Sequence, residues 1–311
     1  MVSRVIDARR GVLYPARMPE FHRLAPPAAA ADFVEWFWIP EWNIEPGRTS
    51  RQHVVAYPAL NLVVDAGGVE LVGPTTRASH RDLTGRGWAI GALLKPAAVA
   101  ALIDEPSALR DGSRTFDAPD LHRDVVQEMG EGGRARATAV FADWLVDRVG
   151  TPSPGALDAN AMAAMLMSDA AILRDEDAAE RLSVSVRTMQ RLAHRYVGLS
   201  PAAMIRRRRL QEAAQRVREH PDIDLATLAA ELGYADHAHL TNDFRAVLGF
   251  TPSSYRSASR DDPPHRGAAS RTDHARAGDR GRALPLALVS EAAQPQHPIP
   301  DSGEHDDGAD Q

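Results

Sequence analysis

Two stretches, GLSPAAMIR at 198–206 and GFTPSSYR at 249–256, share the frame Gly, apolar, Ser/Thr, Pro, fifty-one residues apart. A frame repeated at this distance implies repeated supersecondary units, which limits the fold more than composition does. Upstream the match continues: with Leu182 set on Leu232, AAERLSVS lies over LAAELGYAD and Ala179 over Ala229, an offset of fifty. One inserted residue then makes it fifty-one. Ser200 and Thr251 stand directly before Pro201 and Pro252, so each offers an N-cap oxygen while the proline takes the first helical position, where its missing N–H costs nothing. Gly198 and Gly249 suit the left-handed conformation that closes a helix. Each copy is expected to run helix, tight turn, second helix, glycine stop and the start of a further helix.

Helical periodicity sorts the second helix of each copy into two faces. In the first, Val186, Met189, Leu192 and Tyr196 turn inward, leaving Arg187, Gln190, Arg191, His194 and Arg195 outside, where together with Ser185 they are the expected DNA contacts. In the second, Leu240, Phe244 and Val247 turn inward, and His237, Ala238, Thr241, Asn242 and Arg245 point out, with Asp236 as N-cap. An exposed stripe of Arg, Gln and Asn behind a short helix and a tight turn suits base reading in the DNA major groove. There Arg matches guanine O6/N7, and Gln or Asn matches adenine N6/N7.

On these residues the chain resembles the DNA-binding region of the AraC/XylS family of bacterial transcription regulators over 165–256. The motifs that carry the likeness are SVSVRTMQRLAHRYVGLSP, RRRRLQEAAQRV and LAAELGYADHAHLTNDFRAVLGFTPSSYR. The resemblance implies two helix-turn-helix units joined by a long helix, here 201–219, with recognition helices set into successive major grooves on one face of the DNA. By position, Arg187, Gln190 and Arg191 form the first reader set, and His237, Ala238 and Asn242 the second. Two departures stand out: Ser183 occupies a place where the family commonly has a turn glycine, kept in the second unit as Gly233, and Ala238 has no hydrogen-bonding side chain.

Charge points the same way. The net charge is −6, yet residues 181–220 hold ten Arg against two Glu, a net of +8, while 221–256 hold two Arg against five acids, a net of −3. The first unit is therefore expected to carry most of the DNA affinity. Arg206 to Arg209 point in different directions on a helix, so they are assigned to the linker helix, with one or two of them touching phosphate.

Other chemistries find little support. There is no G-x-S-x-G, P-loop, H-E-x-x-H or dinucleotide fingerprint. His22, His53 and His80 are widely separated, and the His237–His239 pair has no third ligand at sensible spacing. No enzyme activity, metal or cofactor is expected; the alternatives are a protein-binding adaptor without DNA affinity, or an enzyme domain fused to a DNA reader. With no cysteine and no apolar run near the roughly 20 residues of a membrane span, the chain is placed in the cytoplasm.

The N-terminal residues 1–150 read as mixed α/β. Apolar runs flank Ala66-Gly67-Gly68, as in a β-hairpin, and 85–94 suits another strand. KPAAVAALID and residues 134–149, with Val140, Phe141, Trp144, Leu145 and Val149, suit helices. Trp36 and Trp38 alternate on one strand face, where they either pack the core or line a pocket for a small effector. Tyr14-Pro15, Trp36, Trp38 and Lys95-Pro96 resemble the β-rich sensor domains of such regulators. The expected fold class is α+β: an N-terminal β-rich, cupin-like α/β sensor or oligomerisation domain, a linker at 151–164, an all-α tandem helix-turn-helix domain at 165–256, and a disordered tail at 257–311. The expected partners are a double-stranded DNA operator, RNA polymerase, a small-molecule effector and a second copy of the chain, joined through a helix such as 134–149; no membrane is among them.

Overall fold

The computed structural model describes residues 20–54, 57–260 and 288–291. Tyr14-Pro15 and most of the expected tail lie outside the described residues.

The N-terminal half is built on a six-stranded antiparallel sheet in the order β1-β2-β7-β4-β5-β8. Its strands are β1 (Glu20–Leu24), β2 (Val34–Asn43), β4 (Asn61–Asp65), β5 (Gly68–Val72), β7 (Arg86–Leu94) and β8 (Ser113–Thr115). β3 (Thr49–Val54) and β6 (Ser79–Thr84) pair in a second, smaller sheet. The β4–β5 hairpin turns at Ala66-Gly67 as expected, with Asp65 opposite Gly68 and the Asp65 carboxylate accepting the Gly67 N–H at 2.8 Å.

Period-two alternation along β2 gives each face of the large sheet its own work. Phe37 and Ile39 turn to the helical layer, where α2 (Pro119–Gly130) and α3 (Arg134–Val149) supply Leu121, Val125, Ala137, Phe141 and Leu145 to one core. Phe37 and Phe141 meet with ring centroids 5.4 Å apart. Trp36, Trp38, Pro40 and Trp42 alternate with these residues along the strand; Trp38, Pro40 and Trp42 line a cavity, and Trp36 packs with Tyr57 and Leu93. Pro96 opens a short helix, α1 (Pro96–Val99), so the expected longer KPAAVAALID helix stops after one turn.

The helical half contains α4 (Pro154–Ser168), α5 (Asp175–Arg181), α6 (Val186–Tyr196), α7 (Pro201–Glu219), α8 (Leu225–Glu231), α9 (His237–Leu248) and α10 (Pro252–Arg260). Two expectations are corrected here. The stretch 151–164, expected as a linker, is mostly α4: Ser153 accepts the Ala156 N–H as N-cap and Pro154 is its first helical residue, so the turn formers begin a helix. Order also continues past 257, because α10 runs to Arg260 and β9 (Leu288–Glu291) pairs antiparallel with β3.

Helix α4 belongs to both halves. Its Ala156 and Ala159 join the core of the β domain, as does Tyr196 of α6, while Met162 and Leu166 join the core of the first helical unit. Asn160 fixes the seam: its side-chain oxygen accepts the Ala97 N–H at 2.9 Å and its NH2 donates to the Asp32 carbonyl at 2.8 Å. The second unit has a core of its own, from Leu210 and Val217 of α7 to Leu240, Phe244 and Tyr255.

Candidate nucleic-acid interface

Each helix-turn-helix unit begins with a carboxylate that satisfies the open N–H groups of its first helix, in two different ways. Asp177 reaches back from inside α5 to accept the N–H groups of Leu173 and Arg174, both at 3.0 Å. Asp224 stands before α8 and accepts from the N–H of Thr227 at 2.8 Å and from its hydroxyl at 2.9 Å. These hydrogen bonds hold both carboxyls below the usual aspartate range. In the turns that follow, Ser183 has φ 55° and Gly233 φ 71°, so the non-glycine residue adopts the same left-handed backbone as its counterpart.

The second helices are capped at their entrances. Ser185 accepts the Thr188 N–H at 3.1 Å, and Asp236 the His239 N–H at 2.8 Å. Met189, Ala193 and Tyr196 bury one side of α6, while Ser185, Arg187, Gln190, Arg191, His194 and Arg195 are all exposed. In α9, Leu240, Phe244, Val247 and Leu248 are buried; His237, Ala238, Asn242 and Arg245 are exposed and Thr241 half-exposed. Every expected reader thus stands on an outward face. Gln190 is engaged within the unit, donating to Asp175 at 3.3 Å, and Arg195 lies 5.3 Å from the centre of the Tyr196 ring.

The four consecutive arginines of α7, Arg206 to Arg209, have structural partners that sequence spacing could not reveal, because those partners come from distant segments. Arg206 makes a bidentate pair with Asp243 of α9 at 2.6 and 2.7 Å. Arg207, 5 % exposed, lies over the Tyr57 ring of the β domain at 5.9 Å. Buried Arg208 donates to the Ile172 carbonyl ahead of α5 and approaches Glu212 at 3.5 Å, and Arg209 stacks on Tyr234 at 4.0 Å. Burial of Arg207 lowers its pKa to about 10, which leaves it protonated at neutral pH. Each of the four therefore has an internal partner in the folded chain.

In the N-terminal half, Trp38 lines a cavity of about 340 Å³ together with Trp42, Tyr57, Asn61, Val63 and Leu83. Its indole N–H donates to the Asn61 side-chain oxygen at 2.9 Å. Trp36 does not line this cavity; fully buried, it meets Tyr57 edge-on at 5.9 Å and serves as core. Among the described residues, Glu20, His22 and Glu41 bring ligand-type atoms within 4.8 Å of one another, a cluster that sequence separation hid. Glu41 is already paired with Arg134, whose Nε donates to it at 2.6 Å, so an internal cation occupies that carboxylate.

Comparison with known proteins agrees with this geometry. Residues 178–258 match a helix-turn-helix domain family, and residues 22–113 match a domain of unknown function (DUF6597). Among curated relatives, the HTH-type transcriptional activator RhaS of Pectobacterium carotovorum is 32 % identical over 78 residues, 25 % of this chain and 28 % of the relative. RhaS of Escherichia fergusonii is 33 % identical over 81 residues, 26 % and 29 % of the two chains. The chain therefore spans less than a third of the length of these relatives. Among solved structures, ToxT from Vibrio cholerae aligns over 78 % of this chain and 98 % of its own, at 11 % identity and TM-score 0.37. The C-terminal domain of AraT from Geobacillus stearothermophilus aligns over 40 % and 94 %, at 22 % identity and TM-score 0.29. No helix among the described residues is long and apolar enough to cross a membrane. Residues 178–258 of the helical half thus form a helix-turn-helix domain similar to that of these transcriptional activators.

Proposed function

We propose that this protein is a cytoplasmic, sequence-specific DNA-binding transcription regulator that reads two successive major grooves with α6 and α9. The observation that carries the reading is the pair of capped recognition helices, each with its apolar side sealed and its polar side exposed. Arg187 and Arg191 on α6 are the principal base or phosphate contacts; Asn242, with His237 and Arg245, forms the weaker second set. Two rods working on one duplex face must present Arg191 and Asn242 about one helical repeat (~34 Å) apart.

The cavity between the two sheets is the proposed effector site, with Trp38 as its aromatic wall. At about 340 Å³ it falls at the lower end of small-ligand sites and suits a compact, largely apolar molecule. RNA polymerase and a second copy of the chain are the protein partners proposed for such a regulator.

Selection of bound duplexes from a random pool by the full-length protein tests the reading. The expected result is a site with two half-sites and an affinity that falls steeply with salt. Recovery of no preferred sequence, with binding independent of salt, would leave the adaptor reading in its place.

A further inference from the structure

One side chain of the β domain touches three places at once. Tyr57 is a wall of the cavity between the sheets and also of a second cavity, of about 450 Å³, between the β domain and helices α4, α6 and α7. Its ring is held edge-on by Trp36, and Arg23 lies over Trp36 at 5.3 Å. On the far side Arg207 of α7 lies over Tyr57. Backbone hydrogen bonds pin the tyrosine to Thr75, another wall of the inter-sheet cavity: the Tyr57 N–H donates to the Thr75 hydroxyl at 2.7 Å and the Thr75 N–H to the Tyr57 carbonyl at 2.9 Å.

Arg207 has neighbours with complementary tasks. Arg206 grips Asp243 of the second recognition helix, Arg208 grips the segment ahead of α5, and Arg209 grips Tyr234 in the second turn. Four consecutive residues of α7 therefore meet the β domain, the first unit and the second unit. Because they share about one rigid turn of helix, a displacement at Arg207 is carried to Arg206 and Arg209, with Arg208, held to the Ile172 carbonyl of the first unit, as the pivot.

We propose that Tyr57 and Arg207 are a positioning pair through which the inter-sheet cavity sets the orientation of the second DNA-reading unit on α7. This rests on the effector-site reading above and adds its route of control. When the cavity is filled, its Tyr57 wall shifts, Arg207 follows the ring, and the Arg206–Asp243 and Arg209–Tyr234 ties carry the shift to α9. The first unit, fused to the β domain through α4 and Tyr196, stays in place. Control is thus exerted on the spacing between the readers and leaves each reader's own chemistry unchanged.

The test uses the full-length protein with Tyr57→Leu, Tyr57→Phe, Arg207→Met and the cavity-filling Val63→Phe, read first by backbone hydrogen exchange without DNA. Tyr57→Leu and Arg207→Met are expected to speed exchange in both α7 and α9 by about tenfold, a typical coupling factor, while α2, α3 and α6 keep wild-type protection. Tyr57→Phe keeps the ring under the guanidinium and restores wild-type exchange. Val63→Phe changes exchange in α9 only while Arg207 is present. On a duplex selected by the wild type, Tyr57→Leu weakens binding to paired half-sites and leaves binding to the first half-site alone unchanged. The proposal is overturned if α9 exchanges as in the wild type in both variants, if Tyr57→Phe behaves like Tyr57→Leu, if α2, α3 and α6 loosen equally, or if single and paired half-sites weaken alike. Failure to select any duplex would overturn the regulator reading and leave the exchange arm to decide the positioning pair.

Discussion

At the scale of single residues, backbone geometry and contact chemistry make separate demands. Ser183 holds φ 55° with a Cβ, a conformation that costs an L-residue about 1–2 kcal/mol, so Ser183→Gly is expected to raise the thermal midpoint of unfolding. Gly198 combines φ +78° with close approach: a Cβ there would stand 2.7 Å from the Pro106 carbonyl carbon and 2.8 Å from the Ser107 nitrogen. The sequence showed this glycine as a helix stop; the contact with a loop ninety-odd residues away only folding could supply. Gly198→Ala should therefore cost about 1–3 kcal/mol in denaturant titration, and more than a mere helix stop would cost. For recognition, Arg191→Ala is expected to weaken binding to a selected site about tenfold or more while leaving random duplex nearly unaffected. Equal loss on both would make Arg191 a phosphate contact.

Among the elements, the helix entrances have a pH dependence whose sign follows from their hydrogen bonds. The carboxyls of Asp177 and Asp224 lie below their unfolded values, so their contribution is complete above the unfolded aspartate pKa and is lost as pH falls through the folded values. Amide protection at the starts of α5 and α8 should decline in that acidic window. Asp224→Asn, which still caps, should flatten the decline at α8 alone. Strand β2 carries another lesson about elements. Alternation placed Trp36 and Trp38 on one face, but the same face holds both a packed core and a cavity, and only the position of Tyr57 separates the two roles.

For the molecule as a whole, the decisive feature is where the two halves are joined. The stretch 151–164 is expected as a linker from sequence, yet Ser153 and Pro154 open a helix whose Ala156 and Ala159 are buried in the β domain's core. A chain cut at 150 would expose those residues together with the Tyr196 side. The separated helical half is accordingly expected to melt at a lower temperature than in the full chain and to scatter more light on heating, with the loss concentrated in the first unit.

What the amino-acid order determined alone was local and periodic: the duplicated helix-turn-helix frame, the caps at Ser200 and Asp236, the outward polar faces of α6 and α9, and the β4–β5 hairpin. All of these depend on residues within a few positions of one another, where φ/ψ preference and side-chain period act directly. Tertiary structure decided the rest: α4 as a shared helix, the cluster of Glu20, His22 and Glu41, and the internal partners of Arg206 to Arg209 on α7. Those depend on which distant surfaces meet, and a guanidinium's partner is chosen by packing across more than a hundred residues, a choice that leaves no periodic trace in the sequence.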